Sequence, residues 1–184
     1  MTYHISKIFP EAEFILSDIN PDAIKMAQDL NSSLKNVSFL CEDFLKTSIP
    51  ANSVDLLFCI QTLSWISKPK KFLEKLLEIT RKGGYFILSS LFNLEHDVDI
   101  YCKVRDLTRK GNIKLKYNTF SRKTISSWLK NKVEFFDILP FEMPEPLPKE
   151  GRGLGSYTLR LDNGKYITIS GGILMQWGFL YGKV

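Results

Sequence analysis

The feature that most constrains this chain is an apolar stretch that ends in an acid and runs straight into a helix start. Glu13–Asp18 reads as a strand closed by Asp18, and Asn20-Pro21-Asp22 follows as a cap and first turn. An acid at the carboxyl end of a buried strand is where nucleotide-binding α/β folds hold a pair of ribose hydroxyls. The pattern therefore favours an α/β fold with a nucleotide-type ligand near Asp18.

A Gly-rich turn is expected about 20 residues before such an acid. No G-x-G precedes Asp18, and the first glycines of the chain are Gly83 and Gly84. We therefore expect the opening strand and its turn to be missing, which would make this chain a fragment.

Strands and helices alternate in the first half of the chain. A helix from Asn20 carries apolar residues on one face, and a second opens at Pro69 and is expected to end at Gly83-Gly84. This alternation predicts a parallel, doubly wound sheet. The predicted strands are Phe14–Asp18, Asn36–Cys41, Asp55–Ile60 and Tyr85–Leu91.

The second half has a different pattern. Asn163-Gly164 lies between Tyr157–Leu161 and Tyr166–Ser170, which predicts a β-hairpin extending from the C-terminal edge of the sheet. We therefore expect an antiparallel C-terminal flank. The other predicted elements are a helix around Val98–Arg109 capped by Gly111, a helix after Ser121, and strands at Val133–Leu139 and Ile173–Tyr181.

The chain is moderately basic, with a formal net charge of +5. Between Lys103 and Lys132 the only acid is Asp106. Such a basic stretch is typical either of a surface that binds RNA or an acidic substrate, or of a helix face that is simply solvated. We favour the solvated face. The cations of this stretch are Lys103, Arg105, Arg109, Lys110, Lys114, Lys116, Arg122, Lys123, Lys130 and Lys132.

Few residues suit metal or disulfide chemistry. His4 and His96 are the only histidines and lie far apart, so we expect no metal site. Cys41, Cys59 and Cys102 are odd in number and widely spaced, which favours a reducing cytoplasm. No apolar run approaches the length of a membrane span, so we expect no membrane partner.

In the order and spacing of these segments the chain resembles a class I S-adenosylmethionine-dependent methyltransferase. Phe9–Ile24 is similar to the second strand and following helix of that family, Asn36–Phe44 to its third strand and acidic turn, Ser53–Ile66 to its fourth strand, and Phe72–Leu91 to the next helix and strand. The resemblance implies a Rossmann-like α/β fold: a mostly parallel sheet with helices on both faces, an antiparallel C-terminal flank, and here no first strand. It implies one domain over 1–184, with a cofactor-binding half at 1–93 and a substrate-side half at 94–184.

The resemblance also implies S-adenosyl-L-methionine as cofactor and assigns roles to five residues. Asp18 would accept hydrogen bonds from both ribose hydroxyls, and Ile19 would pack on the adenine. Asp43 would accept from the adenine amino group, Phe44 would offer a backbone N–H and a ring contact, and Gln61 would lie near the methionine part.

Two of these residues, and three others, also have a structural interpretation. Asp18 and Asp43 are typical of residues that begin turns. Cys59 reads as a small buried hydrophobe rather than a nucleophile. Trp65 and Trp128 read as core residues rather than a substrate platform.

The implied reaction is methyl transfer to a small-molecule acceptor, with RNA as the second choice. No catalytic base stands out; Tyr3, His96 and Tyr117 are unsupported candidates.

Without a Gly-rich turn we expect weak cofactor binding and no methyl transfer, so a non-catalytic remnant or binding module stays open as an alternative. A nicotinamide-dependent oxidoreductase of the short-chain type is another alternative, because it also places an acid after its second strand. That class needs a Tyr-x-x-x-Lys pair late in the chain. The only such match in this sequence, Tyr3–Lys7, precedes Asp18, which counts against this alternative.

Overall fold

The structure is a computed structural model that describes residues 2–106, 113–148, 156–170 and 177–184. The chain divides into two compact units, Met1–Ile49 and Pro50–Val184. None of the described helices is long and apolar enough to cross a membrane.

The first unit is built on two parallel strands. Phe14 lies opposite Val37 and Asp18 opposite Cys41, so both predicted strands are confirmed and end at the same edge. The helix between them begins where the sequence predicts, because the Asn20 side chain accepts a hydrogen bond from the N–H of Asp22. The elements of this unit are α1 (Thr2–Ile8), β1 (Phe14–Asp18), α2 (Pro21–Leu30), β2 (Val37–Cys41) and a 3₁₀ turn (Phe44–Lys46).

The second unit contains a six-stranded mixed sheet. The elements of this unit are β3 (Val54–Ile60), a 3₁₀ turn (Leu63–Trp65), α3 (Pro69–Ile79), β4 (Thr80–Asn93), β5 (Ile100–Asp106), β6 (Ile113–Ser121), α4 (Arg122–Leu129), β7 (Phe135–Pro140), β8 (Ser156–Arg160), β9 (Tyr166–Ser170) and β10 (Trp177–Lys183). The sheet order is β5-β6-β4-β10-β7, and β3 pairs in parallel with β4. Strand β10 pairs antiparallel with both β4 and β7, which is the predicted C-terminal flank.

The core of this unit lies between the sheet and the apolar stripe of α3. Helix α4 adds Ile125 and Leu129, and the Ser121 hydroxyl caps its start by accepting a hydrogen bond from the N–H of Thr124 at 3.2 Å. The buried residues of α3 are Phe72, Leu73, Leu76, Leu77 and Ile79, which confirms the predicted stripe.

The predicted helix around Val98–Arg109 is wrong. Ile100–Asp106 is β5, whose seven residues pair antiparallel with β6. Burial alternates along it, with Cys102 and Val104 half-buried and their neighbours exposed, so cross-strand packing outweighs the helical spacing of the apolar residues. Residues 107–110 and 111–112, which include the expected cap at Gly111, lie outside the described part of the chain.

Helix α3 also ends earlier than predicted. Thr80 is already extended and its hydroxyl donates to the carbonyl of Leu76 at 2.8 Å, so Gly83-Gly84 lie inside β4. Gly83 has a φ of +76°, which favours glycine. A Cβ on Gly84 would lie 3.0 Å from the carbonyl oxygen of Asp55, so this glycine permits close approach to β3.

The β8–β9 hairpin is confirmed, with Ser156 opposite Ser170. Gly164 has a φ of +83°, and the Asn163 side chain accepts from the N–H of Lys165 at 3.1 Å. The hairpin does not extend the six-stranded sheet: it forms its own two-stranded sheet, and an isolated bridge joins Ile167 to Glu142. The expected position at the sheet edge is therefore wrong.

Candidate functional site

Two acids follow the ends of the paired strands in the first unit. β1 ends at Asp18, whose register partner Cys41 is the last residue of β2. The N–H of Glu42 donates to the carbonyl of Asp18 at 3.1 Å, and Asp43 comes next. Asp18 and Asp43 therefore lie at the carboxyl ends of adjacent parallel strands, as the sequence predicts. That both acids open onto one ligand cleft stays a prediction.

Both carboxylates also organise their own turns. Asp18 Oδ1 accepts from the N–H of Asn20 at 2.8 Å, and Asp43 Oδ1 accepts from the N–H of Leu45 at 3.0 Å. The interpretation that Asp18 and Asp43 begin turns is therefore confirmed. Each of these bonds involves only Oδ1, and a carboxylate has acceptor sites on both oxygens.

The residues beside these acids differ in exposure. Ile19 is 70% exposed, whereas Phe44 is partly buried. Glu42 holds the loop after β2, since it accepts from the Thr47 hydroxyl and, at 3.1 Å, from the N–H of Ser48. The Thr47 hydrogen bond lowers the pKa of the Glu42 carboxyl, so Glu42 stays ionised and supports the loop next to Asp43.

At the end of β3, in the second unit, Gln61 has an unusual backbone. Its φ is +56°, and its N–H is shared between the backbone oxygen of Ser89 at 3.0 Å and the Ser89 hydroxyl at 3.1 Å. The other described non-glycine residues with positive φ are Asn52 and Asn131, and asparagine adopts this region readily. Gln61 is therefore the strained residue of the described backbone, and strain of this kind clusters at functional sites.

Cys59, two residues earlier in β3, is buried. Burial raises the pKa of its thiol to about 12, so the side chain is a neutral thiol near neutral pH. The interpretation of Cys59 as a small hydrophobe rather than a nucleophile is supported.

Trp65, on the 3₁₀ turn after Gln61, is not the core residue that the sequence predicts. Its side chain is 44% exposed, and its ring lies 4.7 Å from the ring of Tyr117, which is 6% exposed. Trp128 does fit the prediction, since it is half-buried against Phe120. The signal that could have separated the two is local: Trp128 lies on a helix stripe, whereas Trp65 lies in a turn directly after a strand.

The basic stretch is not a single uncompensated surface. Acids from distant parts of the sequence pair with several of its cations, and this explains why the run carries few acids of its own. Within the described residues these ion pairs are Arg122–Asp137 at 2.9 Å, Lys123–Asp97 at 3.2 Å and Lys132–Glu74 at 2.9 Å. This pairing supports the interpretation of a solvated face.

For the parts of the chain that the structure describes, no group of three or more His, Cys, Asp or Glu side chains is placed to hold a metal ion.

A family model described as "Methyltransferase domain" matches residues 1–135. The chain is 28% identical over 110 residues to the malonyl-[acyl-carrier protein] O-methyltransferase 2 of Ilyobacter polytropus, covering 60% of this chain and 40% of that protein. It is 32% identical over 90 residues to the phosphoethanolamine N-methyltransferase 3 of Arabidopsis thaliana, covering 46% of this chain and 18% of that protein. The chain thus spans less than half the length of either relative.

Among solved structures, a SAM-dependent methyltransferase from Methanosarcina mazei superposes with a TM-score of 0.55 at 14% identity, covering 92% of this chain and 81% of that one. This likeness confirms the Rossmann-like α/β fold class. With the family model covering most of the sequence, the chain belongs to the class I S-adenosylmethionine-dependent methyltransferases, whose cofactor is S-adenosylmethionine.

Proposed function

We propose that this chain carries the adenosine-binding acids of an enzyme that transfers a methyl group from S-adenosylmethionine to a small-molecule or acyl-carrier-linked acceptor; the expectation that residues 1–184 alone transfer no methyl group stays a prediction. The observation that carries the proposal is the position of Asp18 and Asp43 at the carboxyl ends of paired parallel strands. This is the edge at which open α/β sheets bind their ligands. The names of the two relatives, one an O-methyltransferase and the other an N-methyltransferase, support the reaction and leave the acceptor atom open.

The residues of the first unit fit the adenosine part of the cofactor. Asp18 is exposed, and its carboxylate can accept from two hydroxyls while Oδ1 keeps the N–H of Asn20. Ile19 is largely exposed beside it, which is how an aliphatic side chain must stand in order to cover an adenine ring. Asp43 and Phe44 are held in a capped turn and would receive the adenine amino group and ring edge.

In the second unit, Gln61 is proposed as the residue that contacts the methionine part. Its strained backbone is fixed by Ser89 of β4, so the direction of its Cα–Cβ bond is set before any ligand binds. Such pre-organisation is what binding sites gain from backbone strain.

The cofactor supplies an electrophilic methyl group on a sulfonium, so the chain mainly has to bind and orient the reactants. The acceptor gains a bond from its lone pair to the methyl carbon as the sulfur–carbon bond breaks, and a neutral acceptor then loses a proton to solvent or to a base. RNA is the less favoured acceptor, because three cations of the basic stretch, Arg122, Lys123 and Lys132, pair with acids of the chain itself. The free Cys41, Cys59 and Cys102 suit a reducing compartment, and we propose the cytoplasm.

Calorimetric titration with S-adenosylhomocysteine tests the cofactor site. Asp18→Asn keeps an oxygen that can accept from the N–H of Asn20, so the turn should survive while the charged acceptor is lost. We expect affinity to fall roughly ten- to a hundredfold, since hydrogen bonds to charged groups contribute about 1.5–3 kcal/mol.

The matched control is Asp29→Asn, which removes the same charge from an exposed position on α2. It should bind like the wild type. Equal affinity of the Asp18 and Asp29 variants would refute the assignment of Asp18.

A further inference from the structure

The loop that follows β3 is held at several points. Besides the bonds of the Gln61 N–H to β4, the hydroxyls of Ser64 and Ser90 lie 2.8 Å apart and are buried. The carbonyl of Ile66 accepts from the Asn118 side-chain amide at 3.4 Å. The loop is therefore fixed to β4 and β6 from its first residue to its last.

In this fixed loop the Trp65 indole points outward. The two residues before it, Leu63 and Ser64, are fully buried, yet 44% of Trp65 is exposed. One side of the indole rests on Tyr117 at an interplanar angle of 51°. Because hydrogen bonds to β4 and β6 fix the backbone of this loop, the tertiary structure determines that the indole is exposed to solvent.

The indole adjoins an apolar cluster that is buried at its centre and partly exposed at its margin. Leu91 and Tyr117 are buried at its centre, and Cys102, Val104 and Phe141 pack against them while staying partly exposed. Trp65 extends this cluster through its contact with Tyr117. Isolated exposed apolar side chains are ordinary, whereas contiguous exposed apolar patches are where proteins bind ligands and partners.

The side chains of this cluster, Leu91, Tyr117, Cys102, Val104 and Phe141, are uncharged. In the β5–β6 hairpin Cys102 is the register partner of Tyr117, so both lie on the face toward the indole. Lys103 and Lys116 are also register partners, and alternation places them on the opposite face, where both are exposed. A cationic acceptor would need carboxylates or several exposed aromatic faces, whereas this cluster provides one exposed indole, since Tyr117 is buried and Phe141 is partly buried.

Building on the proposed methyl transfer, we propose that Trp65, backed by Tyr117, is the platform on which the apolar acyl group of the methyl acceptor packs. The site lies just after Gln61, at the carboxyl end of β3, which is the edge where ligands of parallel α/β sheets bind. It selects neutral apolar acceptors over amines because of the uncharged cluster behind it.

The test uses the fluorescence of Trp65 in the full chain. The sequence has three tryptophans, so the double variant Trp128→Phe/Trp177→Phe leaves Trp65 as the only indole. Titration with octanoyl-N-acetylcysteamine, an uncharged acyl thioester, should shift its emission to the blue and saturate. The matched control, Trp65→Phe/Trp177→Phe, leaves only Trp128 and should not respond.

A second measurement covers the case in which the double variant does not fold. In the otherwise wild-type chain, Trp65→Ala should weaken calorimetric binding of the same thioester about tenfold, whereas Trp65→Phe, which keeps an aromatic face, should bind within about threefold of the wild type. Equal affinity of wild type and Trp65→Ala, no emission shift, or a saturable shift with phosphoethanolamine would each overturn the proposal.

Titration of the same proteins with S-adenosylhomocysteine separates this inference from the proposed function. A saturable thioester shift without S-adenosylhomocysteine binding would uphold the apolar site and overturn methyl transfer. Binding of S-adenosylhomocysteine without the shift would overturn the role of Trp65 alone.

Discussion

Replacing Gln61 by glycine should make the protein more stable. The φ of +56° places a residue with a Cβ in the left-handed region, which costs about 1–2 kcal/mol per residue. Glycine removes that cost, but its extra freedom in the unfolded chain costs about 0.5–1 kcal/mol. The net gain is about 0.5–1 kcal/mol, which for a chain of this length raises the unfolding temperature by about 1–4 °C.

Two further variants isolate the cause. Gln61→Ala loses the same amide but keeps a Cβ, so it should stay within about 0.5 kcal/mol of the wild type. Asn52→Gly changes a residue with a φ of 55°, where asparagine is already tolerated, so it should bring no gain. Thermal unfolding followed by circular dichroism measures all three.

The reasoning would be refuted if Gln61→Gly proved no more stable than Gln61→Ala. Under the proposed function, both Gln61 variants should also bind S-adenosylhomocysteine more weakly than the wild type, because both lose the side-chain amide. A gain in stability together with a loss in affinity is the expected signature of strain kept for binding.

Other predictions concern the core of the second unit. Cys59 should resist iodoacetamide at a pH at which the exposed Cys41 reacts, as read by mass spectrometry; rapid labelling of Cys59 in the folded protein would contradict its burial. Burial raises the pKa of Cys59 from an ordinary 9.0 to about 12, so above pH 9 the unfolded chain releases a proton that the folded chain keeps, and stability is lost as pH rises from 9 toward 12. The stability advantage of wild type over Cys59→Ala should therefore shrink across that range, and a constant difference would count against the shift. Gly182→Ala should lower the unfolding free energy by about 1–3 kcal/mol, because the new Cβ would lie 2.6 Å from a carbonyl oxygen of β7; an unchanged unfolding temperature would show that β10 can move away.

Features that depend on neighbours in sequence were predictable. The acid at the end of β1, the Asn20 cap and the apolar stripe of α3 all follow from short-range patterns, because capping and amphipathic burial act over one or two turns. The placement of Asp18 and Asp43 at one edge also followed, because parallel strands joined by a helix end on the same side.

Other features depend on partners far away in sequence. The segment 100–106 has helical spacing, yet it is a strand because β6 pairs with it. Several cations of the basic stretch are neutralised by acids outside it, such as Asp137 beside Arg122.

The loop after β3 shows this most clearly. Nothing in the sequence around Gln61 signals a left-handed backbone, and the one local sign at Trp65 is that it follows a predicted strand rather than lying on a helix stripe. The left-handed backbone and the exposed indole both result from contacts with β4 and β6, through Ser89 and Tyr117, which are 28 or more residues away along the chain. Local preferences are worth a fraction of a kcal/mol per residue, whereas a strand ladder or a buried hydrogen bond is worth more, so the tertiary contacts decided the conformation of this loop.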